Sequence, residues 1–186
     1  LIDALVEQTA ATIRVDSPVA AVLPAEAGSS RRFRVVSGSS STETEDFDTV
    51  VVATPADVAG QQLAKVAPVA ADILGSMDLA SSVVLGLRLP TDEAIPEKTG
   101  ILVSPDAGLH AKAFTFSSRK WSHVDDHVGA FIRASFGHWG DDSLVREDED
   151  TLVKYAIDDF ETITGQRLHP KETVLQKWWG GLPRYG

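Results

Sequence analysis

Short apolar stretches, separated by polar and turn-prone residues, recur along the chain and predict β-strands. Residues 32–36 read Arg-Phe-Arg-Val-Val, the period-2 pattern of a half-buried strand. The pattern predicts further strands at 11–15, 19–23, 81–89, 101–103, 111–117, 129–136 and 173–177, and a hairpin tip with an edge strand between 37 and 45. Gly, Pro, Asp or His residues bound the later strands, and this spacing favours an antiparallel sheet over repeated βαβ units.

Three stretches change to the period of an α-helix. Residues 1–9 are typical of the end of an amphipathic helix. Residues 56–75 predict a helix broken at Pro68, and residues 147–164 predict the clearest helix, with Gly165 at its C-terminal cap. The acidic cluster 147–150 lies in the first turn of that helix, so we assign it to helix stabilisation and not to metal binding. The predicted buried stripe of the 56–75 helix is Leu63, Val66, Ala70, Ile73 and Leu74.

The run of three valines at 50–52 predicts a strand, 50–54, buried on both faces of a sheet. Pro55 ends the strand and suits the first turn of a helix. Ligands of open α/β sheets bind at the carboxyl ends of such strands. The segment is therefore either a ligand-facing edge or an ordinary strand-to-helix junction.

Composition narrows the classes of partner. The net charge of −10 argues against a nucleic acid or an anionic membrane as the main partner. The chain has no cysteine, which excludes disulfides, thiolate metal sites and cysteine catalysis and is compatible with the cytoplasm. Because the chain begins at Leu1 inside a predicted helix and its only methionine is Met77, we interpret it as an internal fragment that carries part of a site.

Two polar motifs suggest chemistry only weakly. His123 and His127 have the spacing of zinc ligands on a helix, but the stretch has no helical pattern and no third ligand, so we interpret it as a solvated loop. Arg31, Arg32 and Arg34 suit a phosphate, and a charged outer strand face explains them better. The sequence contains no phosphate-binding glycine loop and no nucleophile elbow.

Two aromatic stretches are stronger candidates for binding. Lys120 and Trp121 follow a predicted strand and could hold a flat carboxylated ligand by charge and by stacking. Trp178 and Trp179 precede two glycines, which allow the backbone to approach a planar group closely. The alternative for Trp121 is a tryptophan that plugs the end of the sheet, and the alternative for Trp178 and Trp179 is a core anchor; both stay open.

The ordered set of motifs resembles the FAD-dependent protoporphyrinogen/coproporphyrinogen oxidases of the flavin amine oxidase superfamily. The motifs that carry the resemblance are 1–5, 16–19 (Asp-Ser-Pro-Val), 49–56, 116–121 (Phe-Ser-Ser-Arg-Lys-Trp), 131–137 and 178–185 (Trp-Trp-Gly-Gly-Leu-Pro-Arg-Tyr). The resemblance implies an α+β fold: a mixed, largely antiparallel sheet packed with helices, plus the partial β-unit of an FAD-binding Rossmann-like domain. Residues 1–54 would belong to the FAD-binding domain and 55–186 to the substrate-binding domain.

The same resemblance implies the function and the site. Family members oxidise a porphyrinogen to a porphyrin in haem biosynthesis and pass the electrons through FAD to O2. Because the cofactor performs the redox step, we name no catalytic residue. The implied cofactor-binding residues are Val19 (at the adenine), Thr54, Pro55, Ala56 and Trp178 (near the flavin), and the implied substrate-binding residues are Lys120 and Trp121.

The implied partners are a porphyrinogen and O2, and no nucleic acid. The resemblance places the protein in the cytoplasm and leaves open peripheral membrane association and homo-oligomer formation of the full-length protein. It also leaves open whether coproporphyrinogen or protoporphyrinogen is preferred. We expect this chain alone neither to retain FAD nor to turn over. The alternatives are another flavin amine-oxidase-like oxidoreductase and a non-catalytic α+β binding module.

Overall fold

The computed structural model describes residues 2–38, 43–90, 95–124 and 129–184. The chain divides into two compact units, Leu1–Met77 and Asp78–Gly186. Helices and antiparallel sheets occur together in the chain, so the predicted α+β class is confirmed. None of the described helices combines the length and the apolar character needed to cross a bilayer.

The first unit contains a three-stranded antiparallel sheet in the order β1-β2-β3. Its elements are α1 (Ile2–Gln8), β1 (Val19–Pro24), β2 (Phe33–Ser37), β3 (Glu43–Phe47), α2 (Ala56–Leu63) and α3 (Pro68–Gly75). Arg34 lies opposite Asp46 in the β2–β3 register, and its Nε donates to Asp46 Oδ1 at 2.7 Å. Hydrogen bonds from Arg34 lower the pKa of the Asp46 carboxyl. Arg34 therefore belongs to a charged strand face, as its spacing suggested.

Two strands predicted for this unit are wrong. Residues 11–15 and 50–54 form no strand, and Val51 is 87% exposed instead of buried. An apolar β-branched run becomes a strand only where another strand supplies ladder partners, and no described strand pairs with either segment. The helical stripe was also predicted incorrectly at Ala70 and Ile73, which are exposed. The helix is interrupted between α2 and α3, so one set of helical positions does not face the same side throughout 56–75. Ala71 is the buried residue of α3.

The second unit is a five-stranded antiparallel sheet in the order β5-β6-β7-β4-β8. The strands are β4 (Leu79–Arg88), β5 (Gly100–Leu102), β6 (Ala111–Phe116), β7 (Phe131–Phe136) and β8 (Glu172–Pro183). The helices are α4 (Ser117–Lys120), α5 (Ser143–Arg146) and α6 (Glu149–Thr164), with a 3-10 turn at Pro105–Ala107. All five strands were predicted, although β8 continues well beyond residue 177.

One face of this sheet forms the hydrophobic core with α6. Phe160 of α6 is fully buried and meets Phe114 and Phe116 edge-on, with ring centroids 5.3 and 6.0 Å apart. The Asp148 carboxylate accepts from the Thr151 N–H at 2.7 Å and begins the helix. Gly165 ends it in the left-handed conformation, with φ 76°. The acidic cluster therefore serves the helix at Asp148, as predicted.

The opposite face of the sheet carries the alternate side chains, and we call it the open face. Its members come from four strands, since Arg133 lies opposite Thr115 on one side and Gly86 on the other, and Gly86 lies opposite Val174. The residues of the open face used below are Ser82, Val84, Gly86, Lys112, Thr115, Arg133, Ser135, Val174, Gln176 and Trp178.

A bulge interrupts the pairing of β8 with β4. Trp178 pairs with Ser82 and Leu182 pairs with Ala80, so residues 179–181 stand opposite Ser81 alone. Gly180 adopts φ 56°, and its N–H donates to Ser81 Oγ at 3.2 Å. The glycines after the two tryptophans therefore have a local backbone role. Such a bulge bends the strand and increases its twist.

Candidate functional site

A buried glutamine joins two of the predicted cofactor residues in the first unit. Gln62, on α2, is 6% exposed. Its Nε2 donates to the Val19 carbonyl at 2.8 Å, and its Oε1 accepts from the Thr54 hydroxyl at 3.1 Å. Val19 and Thr54 are far apart in sequence, and this amide fixes both. We call these two hydrogen bonds the Gln62 bridge.

The Gln62 bridge borders a cavity of about 340 Å³. The lining is mostly apolar, and polar side chains enter it from Thr49, Thr54 and Gln62; the apolar residues are Val19, Val22, Val35, Phe47, Val50, Val51, Val52 and Ala53. A flat heteroaromatic ring suits such a surface, because apolar walls contact its faces while a few polar atoms orient its edge. The residues present therefore fit an adenine-like ring. Pro55 and Ala56 begin α2 and do not line the cavity.

The second unit has a cavity of about 320 Å³ at the predicted Trp178. Trp178 is 53% exposed and contributes to the lining together with Leu182 from the other side of the bulge. Lys112 and Arg133 line the same cavity. Trp178 is therefore an exposed ring on the open face rather than a core anchor.

A second cavity of the open face, of about 450 Å³, lies at the predicted Trp121. Trp121 follows α4, is 50% exposed and lines this cavity with Phe131 and Val174. Lys120 does not line it, but its Nζ lies 5.4 Å from the centroid of the Trp121 ring, within the range of a cation–π contact. The predicted pairing of a cation with an indole is present, with the indole closer to the cavity.

Val84 and Arg133 line both cavities, so the two tryptophans border one continuous surface. That surface combines apolar walls with cations. Lys112 Nζ donates to the Gly137 carbonyl at 3.0 Å, and burial lowers the pKa of the Lys112 amine. Arg88 is neutralised locally, because its guanidinium donates to Glu172 at 2.6 Å and lowers the pKa of that carboxyl. The surface suits a flat apolar ligand that carries negative charge.

Sequence reasoning missed three residues of these surfaces. Arg133 sits between buried Ile132 and Ala134 in an alternating strand, and that alternation was a usable signal for an outward-facing side chain. Lys112 is the extra residue of a second bulge, between Ala111 and Ala113, which a sequence pattern does not reveal. The sequence does not show that Gln62 is buried, because the neighbouring Gln61 is the same residue type and is exposed.

The histidine motif offers no metal site in the described chain. His123 is exposed in the turn after α4, and His127 lies outside the described residues. Across the described ranges, no three His, Asp or Glu side chains are grouped so that they could hold a metal ion.

The chain belongs to the family of flavin containing amine oxidoreductases, whose sequence model matches residues 1–186. It is 35% identical over 139 residues to the coproporphyrinogen III oxidase of Mycobacterium tuberculosis, a match that covers 75% of this chain and 30% of the relative. It is 25% identical over 144 residues to the coproporphyrinogen III oxidase of Bacillus subtilis. The chain thus spans about 30% of the length of these curated relatives.

Solved structures agree with this assignment. A protein from Exiguobacterium sp. 255-15, provisionally named protoporphyrinogen oxidase, superposes with a TM-score of 0.78 at 26% identity and covers 99% of this chain and 39% of its own. An oxidoreductase from Methanosarcina mazei shares the fold, with a TM-score of 0.61 at 11% identity over 90% of this chain and 38% of its own. The family resemblance predicted from the motifs is confirmed.

Proposed function

We propose that the full-length protein is an FAD-dependent oxidase that converts a porphyrinogen, coproporphyrinogen III or protoporphyrinogen IX, to the porphyrin with O2 in haem biosynthesis. The observation that carries this proposal is the open face, whose two exposed tryptophans and two cations suit a flat macrocycle with carboxylate substituents. The similarity to proteins named coproporphyrinogen III oxidase supports it. The reaction partners in this proposal are the porphyrinogen and O2, with FAD as the cofactor.

The two predicted domains, 1–54 and 55–186, would contribute different parts of the enzyme. In the proposal, residues 1–54 belong to the FAD-binding domain, with Val19 and Thr54 at the cavity of the Gln62 bridge and Pro55 and Ala56 following at the start of α2. Residues 55–186 form the substrate-binding domain, where Trp178 lies near the flavin and Trp121 and Lys120 near the substrate. The compact units divide at Met77 and not at residue 54, so residues 55–77 pack with the first unit.

The protein's own task in this reaction is positioning. FAD, when bound, supplies the redox chemistry by accepting hydride from the macrocycle and passing electrons to O2. The side chains of the open face would hold the macrocycle flat, orient its carboxylates and exclude water from one side. No side chain of this chain is assigned a proton transfer.

The test uses the full-length protein with chemically reduced coproporphyrinogen III and protoporphyrinogen IX. We expect porphyrin fluorescence to rise with at least one of them, together with O2 uptake, and to exceed the rate of a flavin-free sample. A fluorescence rate equal to that of the flavin-free sample with both substrates would refute the proposal. Peroxide formed from an amine, with no porphyrin from either porphyrinogen, would favour the other flavin amine-oxidase activity instead.

The 186-residue chain alone should neither retain FAD nor oxidise a porphyrinogen. A purified sample that is yellow and holds one FAD per chain would contradict this part of the proposal. The proposal places the full-length protein in the cytoplasm, free or peripheral at a membrane, and fractionation of cell extracts tests that location. Size-exclusion chromatography with light scattering tests whether it forms a homo-oligomer.

A further inference from the structure

Two cations of the open face have no acidic partner among the described residues. The chain has more acidic than basic residues, 27 against 17, and ion pairs engage many of its arginines: Arg14, Arg31, Arg34, Arg88, Arg119, Arg167 and Arg184. Arg133 and Lys112 pair with no carboxylate among the residues that the structure describes. An acidic protein thus leaves two positive charges uncompensated beside one cavity.

The surroundings of Arg133 leave most of its guanidinium free to bind. Its one side-chain hydrogen bond among the described residues is long, 3.5 Å, from Nη2 to the Thr115 hydroxyl. Its neighbour in the β4 register is Gly86, which has no side chain to occupy the space beside it. A guanidinium carries five N–H donors in a planar fork that matches a carboxylate. Arg133 therefore has both the donors and the space for a carboxylate ligand.

Lys112 lines the same cavity from the neighbouring strand, and a hydrogen bond holds its ammonium. It is the extra residue of the β6 bulge, and bulges of this kind redirect a side chain. Its ammonium donates to the Gly137 carbonyl at 3.0 Å, which leaves further N–H donors unused. Burial disfavours its charge, and an anionic ligand would offset that cost.

Apolar side chains line the Trp178 cavity together with the two cations. Val84 lies on β4, between the strands that carry Arg133 and Trp178, and Leu182 lies on β8 beyond the bulge; all of them line the cavity of about 320 Å³. A ligand that fits has an apolar ring system in its middle and carboxylates at its edge. An anion without a ring would leave the exposed indole of Trp178 unused, and an uncharged ring would leave both cations unpaired.

We propose that Arg133 and Lys112 bind carboxylates of the macrocycle on the open face. This inference rests on the proposed function and adds to it the two side chains that bind the carboxylates of the substrate. They are binding residues, so their loss weakens affinity while the redox step, which belongs to the cofactor, stays unchanged.

The experiment measures binding of two fluorescent porphyrins to the full-length protein: coproporphyrin III, a tetracarboxylate, and protoporphyrin IX, a dicarboxylate. The variants are Arg133→Gln and Lys112→Gln, with Arg133→Lys as the conservative change. Lys154→Gln is the matched control, because Lys154 is an exposed cation on α6, which packs against the opposite face. Flavin content and the thermal midpoint establish that each variant is folded.

We expect the Kd for coproporphyrin III to rise about tenfold in each Gln variant, the factor for losing one charged hydrogen bond. The Kd for protoporphyrin IX should rise by a similar factor, because this porphyrin also carries carboxylates that the two cations can bind. KM for the porphyrinogen should follow Kd while kcat stays within about twofold. Arg133→Lys should recover part of the affinity, and Lys154→Gln should behave as wild type.

Two results separate this inference from the proposed function. A wild-type protein that oxidises a porphyrinogen, with both Gln variants binding coproporphyrin III as tightly as Lys154→Gln does, would overturn the inference alone. A wild-type protein that oxidises neither porphyrinogen would overturn the proposed function and this inference together. An equal loss of affinity in the variants and in the Lys154→Gln control would also overturn the inference, because the effect would then be one of net charge.

Discussion

The Gln62 bridge provides the sharpest test of how the first unit is held together. Replacing Gln62 by Met keeps the length of the side chain and its helix propensity, since Met and Gln rank alike. It removes the amide that donates to the Val19 carbonyl at 2.8 Å and accepts from the Thr54 hydroxyl at 3.1 Å. Gln61→Met on the exposed neighbouring position is the control.

The magnitude follows from the two hydrogen bonds. Each contributes about 1 kcal/mol net, and a buried acceptor left without a donor costs about 1–3 kcal/mol. Water can reach Val19, which is 39% exposed, so the lower end of that range applies at its carbonyl. Burying a thioether instead of an amide recovers part of the loss. We therefore expect Gln62→Met to lower the free energy of unfolding by about 2 kcal/mol.

The measurement is thermal and urea unfolding of the full-length protein, followed by circular dichroism and by release of flavin fluorescence. Gln62→Met should lower the midpoint by several degrees, and Gln61→Met should leave it unchanged. Thr54→Val should lower the free energy of unfolding by less than Gln62→Met does. The double variant should lose less stability than the sum of the two single variants, because both substitutions break the same hydrogen bond, from the Thr54 hydroxyl to the Gln62 amide. Equal midpoints for the Gln62 and Gln61 variants, or fully additive losses, would refute the bridge.

Three further predictions concern the second unit. Phe160→Ala should lower the free energy of unfolding in urea by about 3–5 kcal/mol, because it empties the fully buried site between Phe114 and Phe116, and a smaller loss for Phe160→Leu is the control. Gly165→Ala should cost about 1–2 kcal/mol through its φ of 76° alone, since no described residue other than its two chain neighbours has an atom within 4 Å of the added methyl; a neutral result would contradict the left-handed cap. The hydrogen bond from the Thr151 N–H lowers the pKa of the Asp148 carboxyl. The contribution of Asp148 to the free energy of unfolding is therefore complete above the unfolded-state pKa, and it is lost as the pH falls through the lower folded-state pKa. Asp148→Ala should therefore be less stable than wild type at neutral pH and lose less on acidification, and parallel stability curves would contradict this.

Much of the second unit could be predicted from the sequence because its signals are local. The alternation in β4 and the cap residues of α6 act within a few residues of one another, so a short stretch already specifies its own structure. The segment at 50–54 differs. Its valines carry a strong preference for extended structure, but a strand also requires a partner, and partners come from distant parts of a chain. Propensity alone could not supply that information, and Val51 lies exposed.

The same distinction between local and long-range information applies to the candidate site. The aromatic stretches located both cavities of the open face, because unusual residues such as Trp121 and Trp178 are visible in any reading of the chain. The cations beside them were not found, since only strand register puts Arg133 and Lys112 at one cavity. The cofactor roles of Val19 and Thr54 stay predictions, although the Gln62 bridge brings these residues together.

The bulge of β8 has a consequence for how this surface can evolve. Residues 179–181 face one residue of β4, so a loss of Gly180 and Gly181 would restore one-to-one pairing and leave Trp178 and Leu182 opposite Ser82 and Ala80 as before. The pairing of β8 with β4 on either side of the bulge therefore does not depend on the number of residues within it. The bend that the extra residues impose on β8 would relax. Insertions and deletions of two residues here would adjust the curvature of the open face, and with it the width of ligand accepted, without inverting any side chain of the sheet.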